Sequence, residues 1–123
     1  MATARGIGAK GEEIGARYLE ERGWTVLERN FRDGPREIDL IVERRGVLAF
    51  VEVKSRSSTS RGGPLEAITK RKRREVETAA RAWLRGRKAT FSEARFDAIS
   101  VHWLEQGGVR VEHVPDAWWP GGP

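Results

Sequence analysis

Cysteine is missing from the 123 residues of this chain. A disulfide framework and a thiolate metal site are therefore excluded, and oxygen atoms and imidazole nitrogens are the metal ligands that remain. Without disulfides or thiolate metal sites the fold must rely on a hydrophobic core. A chain of this length can bury about two thirds of the surface that its unfolded form exposes. We therefore expect one domain with one core, compatible with a reducing compartment.

Long hydrophobic runs are missing as well. The first ten residues, MATARGIGAK, lack the apolar stretch of a signal peptide, and no run approaches the roughly 20 apolar residues that cross a bilayer. These absences predict a cytoplasmic protein. Cations are abundant, with a formal net charge of +5 and an isoelectric point near 10.2. Such a charge favours a polyanionic partner, either nucleic acid or a membrane surface.

The hydrophobic pattern predicts a helix, three strands, a second helix and one or two further strands. Three strands with tight connections indicate an antiparallel meander, and a strand reached through a crossover helix can run parallel to a neighbour. We expect an α/β protein with a mixed sheet, in which residues 1–7 are a flexible N-terminus, 8–118 a single domain and 119–123 a tail. The predicted segments are a helix from Gly8 to Gly23, the strands TVLERNF, EIDLIVE and VLAFVEVKS, a mobile loop SRSSTSRGG, a helix from Pro64 to about Arg85, the strands RFDAISVHW and VRVEHV, and an irregular PDAWWPGGP.

Carboxylates interrupt the two strands that are otherwise the most apolar. Alternation puts Glu52 and Lys54 on one face of their strand, and a hairpin can bring Asp39 close to Glu52. Two close carboxylates repel unless a proton or a cation joins them. Magnesium prefers oxygen ligands, so Asp39 and Glu52 are candidate ligands, and Lys54 is a candidate contact for a phosphate or the attacking water. The alternative is an ordinary cross-strand ion pair on a solvated face.

Each predicted helix carries a charged residue on its apolar side. Glu12 lies in the apolar arc of the first helix, where it is either a further metal or water ligand or an acid stabilised by the helix dipole. Lys72 lies at the centre of the apolar stripe of the second helix, and reaches either the site or the edge of the sheet. The cations beside it predict a phosphate-facing or solvated surface: Lys70, Arg71 and Arg74.

Other polar and aromatic residues have simpler interpretations. Arg95 and Asp97 begin a strand on one face and are expected to pair, while the two histidines show no metal-ligand spacing. Trp83 lies on a buried stripe. Trp118 and Trp119 either hold the C-terminus down as a hydrophobic latch or stack on bases.

In order and spacing, the segments GEEIGARYLEERGW, EIDLIVE, VEVKSR, GGPLEAITKRKRR and RFDAISV resemble the YraN-like bacterial proteins. That family is assigned to the restriction-endonuclease-like superfamily and is similar to archaeal Holliday junction resolvases. The resemblance runs from about Gly8 to Trp118 and implies an αβββαβ core. It differs at Arg36, where glycine is usual before Glu-Ile-Asp, and at Gly15, where alanine is usual.

The resemblance also implies a nuclease motif in which an acid on one strand is followed by acid-x-lysine on the next. It implies an endonuclease that uses Mg²⁺ or Mn²⁺ to hydrolyse DNA, including branched or flapped DNA. Resolvase relatives are dimers, which implies a homodimer. Asp39 matches the first position of the motif, Glu52 and Lys54 the second, Glu12 the helical glutamate of the resolvases, and Lys72 a lysine common in the family.

Under this hypothesis Asp39, Glu52 and the main-chain carbonyl of Val53 hold the metal. Lys54 orients water or stabilises the transition state, and Glu12 assists the metal or its water shell. Two alternatives remain: a nucleic-acid-binding or scaffold protein that keeps the fold without turnover, and a hydrolase of small phosphorylated molecules. The residues expected to contact nucleic-acid phosphates are Arg36, Arg56, Arg61, Lys70, Arg71, Lys72 and Arg74.

Overall fold

A five-stranded mixed sheet with two helices forms the fold. The computed structural model describes residues 4–57, 59, 61–87 and 90–122, and the side chains from residue 8 onward. The sheet order is β1-β2-β3-β4-β5, with β3 and β4 parallel and the other neighbours antiparallel. The elements are α1 (Ala4–Glu20), β1 (Thr25–Asp33), β2 (Arg36–Arg44), β3 (Val47–Ser57), α2 (Lys70–Arg85), β4 (Glu93–Trp103) and β5 (Val109–Trp118).

The predicted α/β class and mixed sheet are confirmed. The order αβββαβ agrees with a restriction-endonuclease-like core, and β5 adds a strand at the edge next to β4. The crossover through α2 makes β3 and β4 parallel over eleven residue pairs, from Val47–Glu93 to Ser57–Trp103. No helix within the described ranges is long and apolar enough to span a membrane.

Both faces of the sheet are buried, each against one helix. On the α2 face, the ring of Phe50 packs edge-on to Trp83 with centroids 6.0 Å apart, and Phe96 stacks on Trp118 at 5.2 Å. On the α1 face, Ala16 and Leu19 pack among aliphatic side chains of the central strands, which include Val51, Val53 and Ile99. Because β2 and β3 are buried on both faces, their sequences are nearly continuous hydrophobic segments.

Glycines let α1 lie close to β3. A Cβ atom on Gly15 would come within 3.3 Å of a Val53 methyl, and one on Gly11 would come within 2.1 Å of the Ser55 hydroxyl. A Cβ on Gly11 would thus clash with the Ser55 hydroxyl, whereas a Cβ on Gly15 would only make a tight contact with Val53. Glu12 follows Gly11 directly and is carried onto the sheet by this contact.

The helix boundaries differ from the predicted ones. α1 begins at Ala4 rather than Gly8, and residues 1–3 of the predicted flexible N-terminus lie outside the described ranges. The segment after Pro64 forms only a 3₁₀ turn, Leu65–Ala67, and α2 begins at Lys70. Thr69 is the reason, because its hydroxyl accepts a hydrogen bond from the Lys72 N–H at 3.1 Å and so caps the helix.

The C-terminal segment is more regular than predicted. β5 continues through Pro115 to Trp118, so only the residues that follow leave the sheet. Asp116 has a φ of 51°, and the pairing with β4 shifts between Phe96 and Ala98, which marks a bulge. The predicted mobile loop begins inside β3, which runs to Ser57, and its residues 58 and 60 lie outside the described ranges.

A buried carboxylate holds this bulge in place. Asp97 accepts hydrogen bonds from the Arg95 guanidinium at 3.0 and 3.3 Å, and from the Asp116 N–H at 2.9 Å, and lies 2.8 Å from His113 Nε2. The expected Arg95–Asp97 pair is thus confirmed. Burial alone would raise the pKa of the Asp97 carboxyl, but the hydrogen bonds from His113, Asp116 and Arg95 outweigh burial and lower it.

We expect Asp97→Asn to lower the free energy of unfolding at neutral pH by about 2–4 kcal/mol, because Arg95 would lose a buried partner. The folded pKa is depressed, so this stabilisation is present above the unfolded value near 3.9 and is lost as pH falls through the folded pKa. Urea denaturation at several pH values should show the difference from wild type shrinking in acid. The exposed Glu105→Gln serves as control, and a pH-independent difference would contradict the assignment.

Candidate functional site

The β2–β3 hairpin brings Asp39 and Glu52 together, as predicted. The strands pair at Ile41–Phe50 and Leu40–Val51, and the next positions along the hairpin are Asp39 and Glu52. There the Val53 N–H donates to Oδ2 of Asp39 at 2.8 Å. The Asp39 carboxylate thus takes the place of the backbone carbonyl that would normally accept this hydrogen bond in the sheet. The backbone N–H of Asp39 in turn donates to the Glu52 carboxylate. Each acid is therefore held by the opposite strand.

A second group of acids adjoins this pair. Glu12, Glu37 and Asp39 each place one carboxylate oxygen within 4.8 Å of the other two. Glu12 comes from α1, whereas Glu37 and Asp39 are two residues apart on β2. We call these three residues and Glu52 the acidic site, although Glu52 is not part of the closest group. Sequence reasoning missed Glu37, yet its i, i+2 spacing to Asp39 was a usable signal for a shared face.

Asn30 supports the acidic site from β1. It lies across from Asp39, between the pairs Arg29–Leu40 and Phe31–Ile38, and its φ of 49° is one that asparagine tolerates better than most residues. In the orientation that satisfies its hydrogen bonds, its amide nitrogen donates to Glu37 at 3.0 Å and to Glu12 at 3.1 Å.

Arg32 adds a positive charge at the rim, with a nitrogen 2.9 Å from the Glu37 carboxylate. Neither Asn30 nor Arg32 was predicted as a site residue. An isolated polar residue in a strand gives no sign of its partners, because those depend on which strand lies alongside.

Burial makes the acidic site hold protons at neutral pH. It is the main reason that the pKa of Glu12 rises to about 7, and the charge of Asp39 with a hydrogen bond to Asp39 adds to the shift. Burial likewise raises the pKa of Glu52 to about 8, with a further contribution from Asp39, while Lys72 and Lys54 act in the opposite direction. A hydrogen bond between two carboxyl groups requires a proton between them, and a cation can take the place of that proton.

Lys72 was predicted to reach either the acidic site or the edge of the sheet, and it reaches the acidic site. Its ammonium donates to the backbone carbonyl of Glu37 at 3.3 Å and lies 3.9 Å from the Glu52 carboxylate. Lys54 is half-buried on the strand that carries Glu52 and lowers the pKa of that acid. The two lysines therefore face the buried carboxylate from different elements.

The residues fit a divalent cation that prefers oxygen. Three carboxylates from two elements converge, and the buried Oε1 of Glu52 has no hydrogen-bond partner in the part of the chain that the structure describes. Mg²⁺ and Mn²⁺ take such carboxylate ligands and retain several waters. Asp39 with Glu12 and Glu37 is the most compact donor set. Val53 contributes its N–H to Asp39, and the use of its carbonyl as a ligand stays a prediction.

Basic residues surround the N-terminal end of α2. Arg36, Arg71 and Arg74 line a cavity beside the β1–β2 turn, while Lys70 and Arg74 line a second cavity near the C-terminus. Lys70, Arg71 and Arg74 are exposed, and Arg36 is half-buried with a weak contact to Asp33 at 3.7 Å.

Arg56 lies near the end of β3 and Arg61 lies in the loop that follows, and it is the Arg56 side chain that bonds to the loop backbone. The Arg56 guanidinium donates to the carbonyls of Gly62 at 2.8 Å, Gly63 at 3.1 Å and Arg61. It therefore holds the loop closed, whereas the Arg61 side chain is exposed. Nucleic-acid contact by either residue stays a prediction.

We expect Glu52→Gln to stabilise the metal-free protein at neutral pH by on the order of 1–3 kcal/mol, because glutamine is neutral in both states whereas the Glu52 carboxylate has to take up a proton when the chain folds. The folded pKa of about 8 exceeds the unfolded value near 4.3. The stability advantage of the protonated acid is therefore complete below pH 4.3 and is lost as pH rises toward 8.

Urea denaturation with chelator should show the gap between variant and wild type widening over this pH range. The exposed Glu20→Gln is the control and should match wild type. A variant that is less stable than wild type at every pH would show that the Glu52 carboxylate is well compensated.

Sequence comparisons agree with one another. The profile of the uncharacterised protein family UPF0102 matches residues 11–101, which include the whole acidic site. A UPF0102 protein of Chlorobium chlorochromatii is 42% identical over 122 residues, covering 92% of this chain and 91% of the relative. One from Trichlorobacter lovleyi is 39% identical, covering 90% and 88%, and one from Rhodococcus opacus is 39% identical, covering 95% and 99%. The chain therefore belongs to the UPF0102 family.

Proposed function

We propose that this protein is a metal-dependent endonuclease that hydrolyses phosphodiester bonds in DNA, with branched or flapped DNA as its substrates. The observation that carries the proposal is the acidic site itself. Asp39 and Glu52 are held by hydrogen bonds between two central strands, where burial would normally exclude both. Rigid elements position catalytic groups better than loops do, which gives this placement a functional reason.

Asp39, Glu12 and Glu37 would hold Mg²⁺ or Mn²⁺, with Glu52 and the Val53 carbonyl as further ligand candidates. When bound, the cation lowers the pKa of a water molecule and offsets negative charge on the scissile phosphate. The raised pKa values of Glu12 and Glu52, with the Lys72 ammonium 3.9 Å from Glu52 and an Arg32 nitrogen 2.9 Å from Glu37, indicate that the site favours additional positive charge.

The chain supplies the remaining functions with its own side chains. Lys54 and Lys72 would stabilise negative charge on the phosphate, since both ammonium groups are close enough to the Glu52 carboxylate to lower its pKa and neither side chain is fully buried. Arg36, Arg71 and Arg74 line one cavity, and Arg36 directly precedes Glu37, so these arginines would bind phosphates that flank the acidic site without reading sequence.

One observation favours a non-catalytic alternative. Asn30, Arg32 and Lys72 already contact the acids, so the acidic site could serve as a polar network in a protein that binds nucleic acid without cleaving it. The two functions differ in turnover and in their response to metal. A cytoplasmic location and a homodimer stay predictions, and light scattering after size exclusion tests the second.

Metal binding should raise the melting temperature of the wild-type protein. A ligand that binds only the folded state stabilises it by about 2.7 kcal/mol at a hundred times its dissociation constant. We expect Mn²⁺ and Mg²⁺ to stabilise wild type and Glu13→Gln, and to have no effect on Asp39→Asn. Glu13 is a matched control because it neighbours Glu12 on α1 yet faces solvent. An equal shift in Asp39→Asn would place the cation elsewhere.

Cleavage should depend on the same acids. We expect duplex, single-stranded, flapped and four-way-junction DNA to reveal at least one substrate that is cut with Mg²⁺ or Mn²⁺. Asp39→Asn and Glu12→Gln should lose at least about a hundredfold in rate while Glu13→Gln retains activity. DNA binding should survive and weaken steeply with salt. Binding without cleavage across the whole panel would favour the non-catalytic alternative.

A further inference from the structure

Trp119 is solvent-exposed, whereas the other four tryptophans are buried or half-buried. Its exposed fraction is 71%, whereas Trp24, Trp83 and Trp118 are at most 8% exposed and Trp103 is half-buried. A large apolar ring left in water forgoes the hydrophobic stabilisation that burial would bring. The acidic site makes no use of this side chain, so its position requires a separate explanation.

The turn that carries Trp119 is fixed firmly to α2. Both oxygens of the buried Glu77 are used, one by the Trp118 indole N–H at 3.1 Å and the other by the Gly121 N–H at 3.3 Å. The Gly122 N–H closes the turn on the Trp119 carbonyl at 2.9 Å, and Gly121 has the positive φ of 71° that such a turn favours. The predicted latch is therefore Trp118, and Trp119 is presented on a rigid support.

Positive charge surrounds the indole. Lys70, Arg73 and Arg74 of α2 line the same cavity as Trp119. Arg73 is held by the carbonyls of Ile68 and Leu65 at 3.1 and 3.0 Å, which leaves its charge unneutralised. Lys70 and Arg74 are exposed and form no ion pair among the residues that the structure describes. The acid that lines this cavity is Glu77, and both of its oxygens already accept hydrogen bonds from Trp118 and Gly121.

The cavity lies at the end of α2 that also serves the acidic site. Arg74 lines both this cavity and the one that contains Arg36, the residue next to Glu37. Lys72, two residues after Lys70, reaches Glu37 and Glu52. A single strand of nucleic acid that contacts Trp119 could thus follow adjacent cations toward the acidic site.

We propose that Trp119 is a stacking platform for an unpaired base, with Lys70 and Arg74 binding the flanking phosphates. An indole ring stacks on any nucleobase, but a base within a duplex has no free face, so the ligand is a single-stranded segment. The surrounding cations favour this ligand over an apolar protein surface. The inference deepens the proposed function, on which it rests, by assigning DNA with an unpaired segment as the substrate class.

Fluorescence anisotropy with a labelled oligothymidine, in chelator so that no cleavage occurs, tests the inference. Trp119→Ala should weaken binding about fivefold to a hundredfold, and Trp119→Phe should weaken it less. An abasic oligonucleotide of equal length should bind wild type and Trp119→Ala alike. Leu104→Ala, which removes an exposed apolar side chain elsewhere, is the matched control and should bind as wild type does.

The phosphate contacts are tested separately by salt. Lys70→Gln and Arg74→Gln should each reduce the slope of log affinity against log salt by about 0.7, because each removes one single-strand phosphate contact. Trp119→Ala should weaken binding while it leaves this slope unchanged. The two kinds of variant therefore report on different parts of the same ligand.

The inference would be overturned if Trp119→Ala bound oligothymidine as tightly as wild type does, or if wild type bound no oligothymidine at low salt. It would also be overturned if Trp119→Ala lost as much affinity for the abasic oligonucleotide as for oligothymidine. An indole that is not needed for nucleic acid would then be free to contact a protein partner. The nuclease proposal is judged by cleavage of the DNA panel, so base-dependent stacking without cleavage would support this inference and contradict that proposal. Thermal melting of Trp119→Ala beside Leu104→Ala checks that both variants are folded.

Discussion

One hydrogen bond, from the Val53 N–H to the Asp39 carboxylate, fixes the centre of this protein. It replaces a backbone acceptor with a side chain, so a charged group becomes part of the sheet. The Asp39 N–H then orients Glu52, which burial and the charge of Asp39 drive to a pKa of about 8. The neighbouring groups bring a proton, a hydrogen-bond donor or a positive charge to these partly or fully buried acids: Glu12, Asn30, Arg32, Lys54 and Lys72.

Most of the fold could be predicted because the hydrophobic repeat and the residues that favour turns determine helices, strands and turns from nearby sequence alone. The mixed sheet, the crossover through α2 and the C-cap at Gly86 agree with the hydrophobic pattern. The start of α2 and the length of β5 could not be predicted in the same way. The Thr69 cap competes with Pro64 as a start signal, and Pro115 stays in a strand because Asp97, far away in sequence, anchors the bulge.

The acidic site was predictable in part for the same reason. Asp39 and Glu52 stand out because they interrupt apolar strands, and Glu12 and Lys72 because they interrupt apolar helix faces. Glu37 and Asn30 lie in segments where a polar residue is unremarkable, so their roles depend on tertiary contact. The close approach of α1 places Glu12 beside both residues. Gly11 leaves room for that approach, and its effect depends on the position of β3.

The two outermost strands have a consequence for assembly. β1 contains the left-handed Asn30 and a register shift beyond Val26, and β5 contains Pro115 and the left-handed Asp116. Irregular backbone of this kind, with a proline that lacks a donor, opposes the addition of another strand to the ladder. Continuous β-pairing between copies is thus disfavoured along the full length of either outer strand, and the side chains of the helical layers are the more regular surfaces for self-association.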